Sequence, residues 1–96
     1  MNLNQQLAEE ITKIISDISY YSCIGNTITK VNDICVCLDE DYASNIVEEI
    51  SFNGSAEFWY VVPNGELSTR CNFRGKATIQ DFKVANICKP IIIHIN

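Results

Sequence analysis

Residues 55–74 read SAEFWYVVPNGELSTRCNFR, two alternating runs joined by a turn. In the first run Ala56, Phe58, Tyr60 and Val62 alternate with Glu57, Trp59 and Val61. In the second, Leu67, Thr69, Cys71 and Phe73 alternate with Glu66, Ser68, Arg70, Asn72 and Arg74. Successive side chains of a strand point to opposite faces, so each run has one apolar face, and the second run has one fully polar face. Pro63-Asn64-Gly65 supplies the fixed φ and the tolerance of positive φ that a tight turn needs. The pair is therefore expected to form a hairpin with one wet face.

Working downstream, Gly75-Lys76 is expected to turn the chain into a third strand over 77–84, with a bulge where the alternation slips at Gln80-Asp81. The run Ile91-Ile92-Ile93-His94-Ile95 is apolar on both faces and is expected to be a covered strand, because bare it would invite aggregation. Upstream, residues 27–38 are rich in β-branched side chains, with Asn32-Asp33 as a bulge or tight turn. Ile34, Val36 and Leu38 then share one face and Cys35 and Cys37 the other. Residues 39–52 fit two periods. Leu38, Tyr42, Ile46 and Ile50 recur every four residues behind an Asp39 cap and a first turn of Glu40 and Asp41, which favours a helix. Ile46, Glu48, Ile50 and Phe52 also alternate as a strand would. Residues 3–22 place Leu3, Leu7, Ile11, Ile14, Ile15 and Ile18 on one helical face. Together these predict a single α+β domain over residues 1–96. It is a mostly antiparallel sheet of 4–5 strands, with an N-terminal amphipathic helix and a second helix packed on one face.

Ninety-six residues close one core, and 47% hydrophobic with 20% charged residues fits a globular chain. Seven Lys/Arg against twelve Asp/Glu leave a net charge of −5. That balance disfavours direct nucleic-acid binding, which draws its affinity from a basic stripe, and disfavours a polybasic membrane binder. Arg70, Arg74, Lys76 and Lys83 with neighbouring Trp59 and Tyr60 are the one arrangement that resembles a single-strand-binding sheet. No stretch is long and apolar enough to span a bilayer. The first residues lack a basic n-region followed by an apolar run, so a cytoplasmic location is expected. The five cysteines are then expected to be reduced thiols behaving as small buried hydrophobes. Asn53-Gly54-Ser55 matches a glycosylation sequon but reads as a turn.

Catalytic and cofactor motifs are lacking. His94 is the lone histidine and sits in an isoleucine run, a poor setting for a Cys–His nucleophile pair. Cys35-x-Cys37 has no second Cys or His pair to complete a structural zinc site. Asp39-Glu40-Asp41 and Glu48-Glu49 look like solvated charges rather than an acid–base pair tuned by a pocket. Neither an EF-hand loop nor a phosphate loop is present. Non-enzymatic chemistry, with no cofactor and no metal, is the expectation.

Charge is unevenly placed. Residues 1–54 hold nine acids and two bases, whereas residues 55–96 hold three acids and five bases. A directional acidic surface raises the association rate with a basic protein and rejects other partners. The expected function is therefore a protein inhibitor, an immunity protein or antitoxin that neutralises a toxin such as a nuclease. The expected contacts are Asp39, Glu40, Asp41, Glu48 and Glu49, with Tyr42 as aromatic anchor. The alternatives are a phage-encoded inhibitor of a host defence complex, of the anti-CRISPR type, and a small-ligand domain with a pocket lined by Trp59, Tyr60 and Cys71. A structural subunit held through an edge strand such as 91–95 is a further class.

Overall fold

A computed structural model describes residues 2–42 and 47–95. Helix α1 (Leu3–Ile14) and a single 3-10 turn (Ile18–Tyr20) lead into β1 (Tyr21–Cys23). Then follow β2 (Ile28–Leu38), β3 (Glu48–Val62), β4 (Gly65–Gln80), β5 (Lys83–Ile87) and β6 (Ile91–Ile93). β2, β3, β4 and β5 form an antiparallel sheet in that order, and β1 pairs with β6 in a small parallel sheet. The α+β class expected from the sequence is what the chain adopts.

The helix starts where the Asn2 side chain accepts from the Gln5 backbone N–H (2.8 Å), a capping bond that satisfies an otherwise unpaired donor. Leu7, Ile11 and Ile15, four residues apart, are fully buried. Each contributes on the order of 1.5–3 kcal/mol by leaving water. The helix is shorter than the 3–22 span its spacing predicts. Asp17 accepts from the Ser19 backbone N–H (2.9 Å) and starts the 3-10 turn, and Tyr21 then enters β1. That frees Tyr21 to fill the core. Its hydroxyl donates to the Ile15 carbonyl (2.7 Å), and its ring meets Phe58 and Phe73 edge-on at 5.0 and 5.9 Å. Burial raises the Tyr21 phenol well above its usual range.

The expected helix over 39–52 does not form. Residues 48–52 are the first part of β3, and residues 43–46 lie outside the described span. β3 and β4 pair without a break from Glu48↔Ile79 to Val62↔Gly65. Ile50 and Phe52 enter the core as strand residues opposite Ala77 and Gly75. The strand alternation thus wins over the four-residue period, because β4 supplies a full ladder of hydrogen bonds that a helix here would leave unmet. Asp39 is not a cap: its N–H donates to the Ser51 carbonyl (3.0 Å). Asn53-Gly54-Ser55 is mid-strand rather than a turn. Gly75-Lys76 is likewise mid-strand, and the turn falls at Asp81-Phe82, both with positive φ (53° and 63°). The Asn32-Asp33 bulge is present, with Asp33 at φ 53° and a register shift between Asn32 and Cys35.

The misread glycines have a packing role. Gly54 faces Phe73, and Gly75 faces Phe52, two rungs apart on one face of the hairpin. A Cβ on Gly54 would lie 2.7 Å from Phe73 Cζ, and one on Gly75 would lie 2.9 Å from Phe52 Cε1. Each phenyl ring therefore covers the glycine of the opposite strand, and the two rings meet edge-on at 6.5 Å. The helix packs against both β2 and β5, the two edge strands of the sheet, so the sheet curls around it. Glu10 accepts from the Val84 backbone N–H (3.3 Å), fixing β5 to the helix. Ile91 and Ile93 of β6 are buried beside β4, while Ile92 faces out, so the isoleucine strand is covered on one face rather than both.

Gly54→Ala places a methyl group against Phe73 and the Cys35 carbonyl. The expected cost is about 1–3 kcal/mol of overpacking. Thermal unfolding followed by circular dichroism should show Tm falling by roughly 4 °C or more; an unchanged Tm would contradict the ring-on-glycine packing.

Candidate functional site

The residues expected to make contact converge on one end of the sheet. Three stretches meet there: the chain leaving β2, the start of β3 and the β4–β5 turn. Asn4 at the helix start clamps the first. Its Nδ2 donates to Asp41 Oδ1 (2.6 Å), and its Oδ1 accepts from the Tyr42 backbone N–H (3.3 Å). The Tyr42 ring meets Phe82 of the turn edge-on at 5.4 Å. Glu48 pairs with Ile79 and Glu49 with Thr78 on the rungs just before that turn. Asp39, Glu40, Asp41, Glu48, Glu49 and Asp81 thus occupy one end, with Arg74, Lys76 and Lys83 as the nearby cations.

These six acids are not equivalent. Asp39 accepts from Asn53 Nδ2 (2.6 Å) and pairs with Arg74 Nη1 at 3.7 Å. Glu49 pairs with Lys76 Nζ at 3.7 Å. Both pairs are solvated and worth little to stability, but they offset two charges of the patch. Among the described residues Glu40 and Glu48 have no cationic partner, and Asp41 is held by a neutral amide. Tyr42, expected as the anchor, is only 3% exposed and belongs to the core. Its neighbour Phe82 is 43% exposed instead, and Val47 is exposed beside Glu48. Sequence reading missed Phe82 because a bulky residue at positive φ is not a recognisable turn signal.

The wet face of the sheet carries the other polar cluster. Arg70 Nη2 donates to the Asp33 carbonyl (2.9 Å) and Ser55 Oγ (3.2 Å), and lies 3.8 Å from Cys35 Sγ. Lys30 sits over the Trp59 ring at 5.9 Å, and Trp59 Nε1 donates to Glu57 Oε1 (3.0 Å). The hairpin cations Arg70, Arg74 and Lys76 are thus each engaged with a protein acceptor. Trp59 and Tyr60 point to opposite faces of β3, so they do not form one stacking platform, nor a joint pocket with Cys71. A widely open depression of about 900 Å³ lies over this face between Cys37, Asn53, Asn72, Arg74, Ile92 and His94. It lacks the enclosed apolar walls with convergent polar groups that a small-molecule site needs.

The cysteines differ from the buried thiols expected. Cys35, Cys37 and Cys88 are exposed, Cys23 and Cys71 are half-buried, and none is paired in a disulfide. The reason is strand parity: Cys35 and Cys37 alternate with the inward Ile34, Val36 and Leu38. Burial, with Cys23 close by, raises the Cys71 thiol above its usual range. Among the described residues, no three His, Cys, Asp or Glu side chains converge to hold a metal ion. No described helix is long and apolar enough to cross a membrane.

Compared with protein-family models, curated proteins and solved structures, the chain finds no significant match.

Thiol titration with a chromogenic disulfide at mildly alkaline pH should separate the cysteines. Single Cys→Ser variants should assign the fast phase to Cys35, Cys37 and Cys88, with Cys71 slower by roughly tenfold or more. A Cys71 as fast as Cys37 would contradict its placement.

Proposed function

We propose that the chain is a non-enzymatic protein inhibitor, an immunity protein or antitoxin that occupies the basic groove of a toxin such as a nuclease. The observation that carries this reading is the gathering of carboxylates from three separate stretches at one end, with Glu40 and Glu48 unneutralised. Placed against a cationic groove, these groups stand where phosphates would stand. Complementary fields then accelerate association and select the partner. Phe82 and Val47 supply exposed apolar surface within the acidic ring, as a binding hot spot requires. Tyr42 acts beneath them, as the ring that supports Phe82. Five unpaired thiols are in keeping with a cytoplasmic site of action. A counter-defence inhibitor of the anti-CRISPR type would use the same surface against a nucleic-acid-binding complex.

The test is a triple reversal, Glu40→Lys, Asp41→Lys and Glu48→Lys, which leaves the Asp39–Arg74 and Glu49–Lys76 pairs in place. Wild type captures a basic protein from the native host, and that protein is then purified. Its association with the triple variant should be slowed tenfold or more at low salt, with the fold intact by circular dichroism. Equal association rates for the two proteins would remove this surface from the function.

A further inference from the structure

The sheet treats its edges unequally. β2 is interrupted by the Asp33 bulge, and the Val84 N–H of β5 is bonded by Glu10 of the helix. Both are ways of blunting an edge against foreign strands. β4 is different. β5 pairs only with its last part, Ala77 to Gln80, and the Cys88 N–H adds a bond to the Lys76 carbonyl (2.9 Å). Among the described residues, nothing pairs with the backbone of residues 66–70 on that side. This stretch has no bulge or proline, and Leu67 is 54% exposed on it.

The direction of its free groups follows from the ladder. The Val61 N–H donates to the Thr27 carbonyl, so odd residues of β3 bond to β2 and even ones to β4. Opposite them, odd residues of β4 bond to β3, and Glu66, Ser68 and Arg70 turn their N–H and C=O groups outward. The Lys76 carbonyl, of the same parity, confirms the direction by accepting from Cys88.

We propose that this edge pairs with the same edge of a second copy, antiparallel about a two-fold axis at Ser68. An antiparallel partner must set outward-bonding residues opposite one another. Of the two-fold registers that do so within 66–70, one places each Glu66 opposite Arg70 of the other copy. Ser68 then faces Ser68, and Leu67 faces Thr69 on the other side of the sheet. Two opposite-charge cross-strand pairs and no like-charge pair result. The register centred on Glu66 opposes two carboxylates, the one centred on Arg70 opposes two guanidiniums, and those centred on Leu67 or Thr69 set Ser68 against Glu66 or Arg70 and make no opposite-charge pair. Pairing with Glu66 turns the Arg70 guanidinium outward from Asp33 and Ser55, exchanging two solvent-exposed bonds to neutral acceptors for a carboxylate. The hairpin end is also where charge permits two copies to meet. Lys30 and Arg70 there balance Glu57 and Glu66, whereas the acidic ends repel. The assembly joins two sheets into one and closes by symmetry, which removes both free edges. It stands independently of the inhibitor reading, and it would leave an acidic surface free on each copy.

Sedimentation equilibrium across a concentration series, with the full chain, tests this. Wild type should approach twice its 10.8 kDa mass. Ser68→Pro removes an outward N–H without touching the β3 ladder, and should be monomeric with its fold intact by circular dichroism. Glu66→Arg should weaken the dimer tenfold or more, and the swap Glu66→Arg/Arg70→Glu should restore it. A wild type that stays monomeric throughout overturns the proposal, and leaves the edge to an extended segment of another protein. A dimer indifferent to both Ser68→Pro and Glu66→Arg overturns it as well.

Discussion

Two phenyl rings lying on two glycines set the shape of this molecule. Phe52 covers Gly75 and Phe73 covers Gly54, two rungs apart on the same face of one long hairpin. With a side chain at either glycine the rings would be displaced from the core. With no rings, the hairpin would expose bare backbone where it should pack most densely. The rings also reach outward. Phe73 meets Tyr21 and Phe58 in edge-to-face contacts, and Tyr21 is bonded to the carbonyl of Ile15, the residue that caps the helix. Helix, parallel strand pair and main sheet are thus joined through one aromatic cluster, a small core for a chain of 96 residues.

Fixing the middle of the hairpin leaves its two ends with different chemistry. At one end the helix start clamps the chain leaving β2, and carboxylates gather there because that chain, the start of β3 and the Asp81-Phe82 turn all bring them. At the other, β4 outruns β5, and the hairpin tip carries balanced charge and exposed apolar side chains. The acidic end, with six carboxylates against Arg74, Lys76 and Lys83, therefore holds more than half of the −5 net charge. A surface with separated functions needs only one core to hold both.

Much of the architecture was legible in the sequence: the hairpin at Pro63-Asn64-Gly65, the wet face of Arg70, Asn72 and Arg74, the Asp33 bulge and the helix from Leu3. These rest on local periodicity and turn chemistry. What misled was also local. Asp39 with Glu40 and Asp41 is a good helix start, yet Asp39 is committed to Asn53 and Arg74, partners known only once the strands are paired. Gly54 and Gly75 read as breakers because a strand glycine and a turn glycine look alike without the ring that covers them. Tyr21–Cys23 was hidden in a helical pattern, since three residues pairing with a distant β6 leave no periodic trace. The acids of the candidate site were legible, but their inequality was not. Strand pairing decides which of them meet a cation, and the burial of Tyr42 passes the exposed aromatic position to Phe82.

A double-mutant cycle between Phe52 and Gly75 tests the ring-on-glycine account most directly. Urea unfolding would give the stability of wild type, Gly75→Ala, Phe52→Leu and the double variant. If the ring is what the added methyl strikes, the penalty of Gly75→Ala should largely vanish once Phe52 is Leu, a coupling of about 1 kcal/mol or more. Additive costs, agreeing within roughly 0.5 kcal/mol, would show that the two positions do not sense each other. The hairpin would then owe its shape to something else.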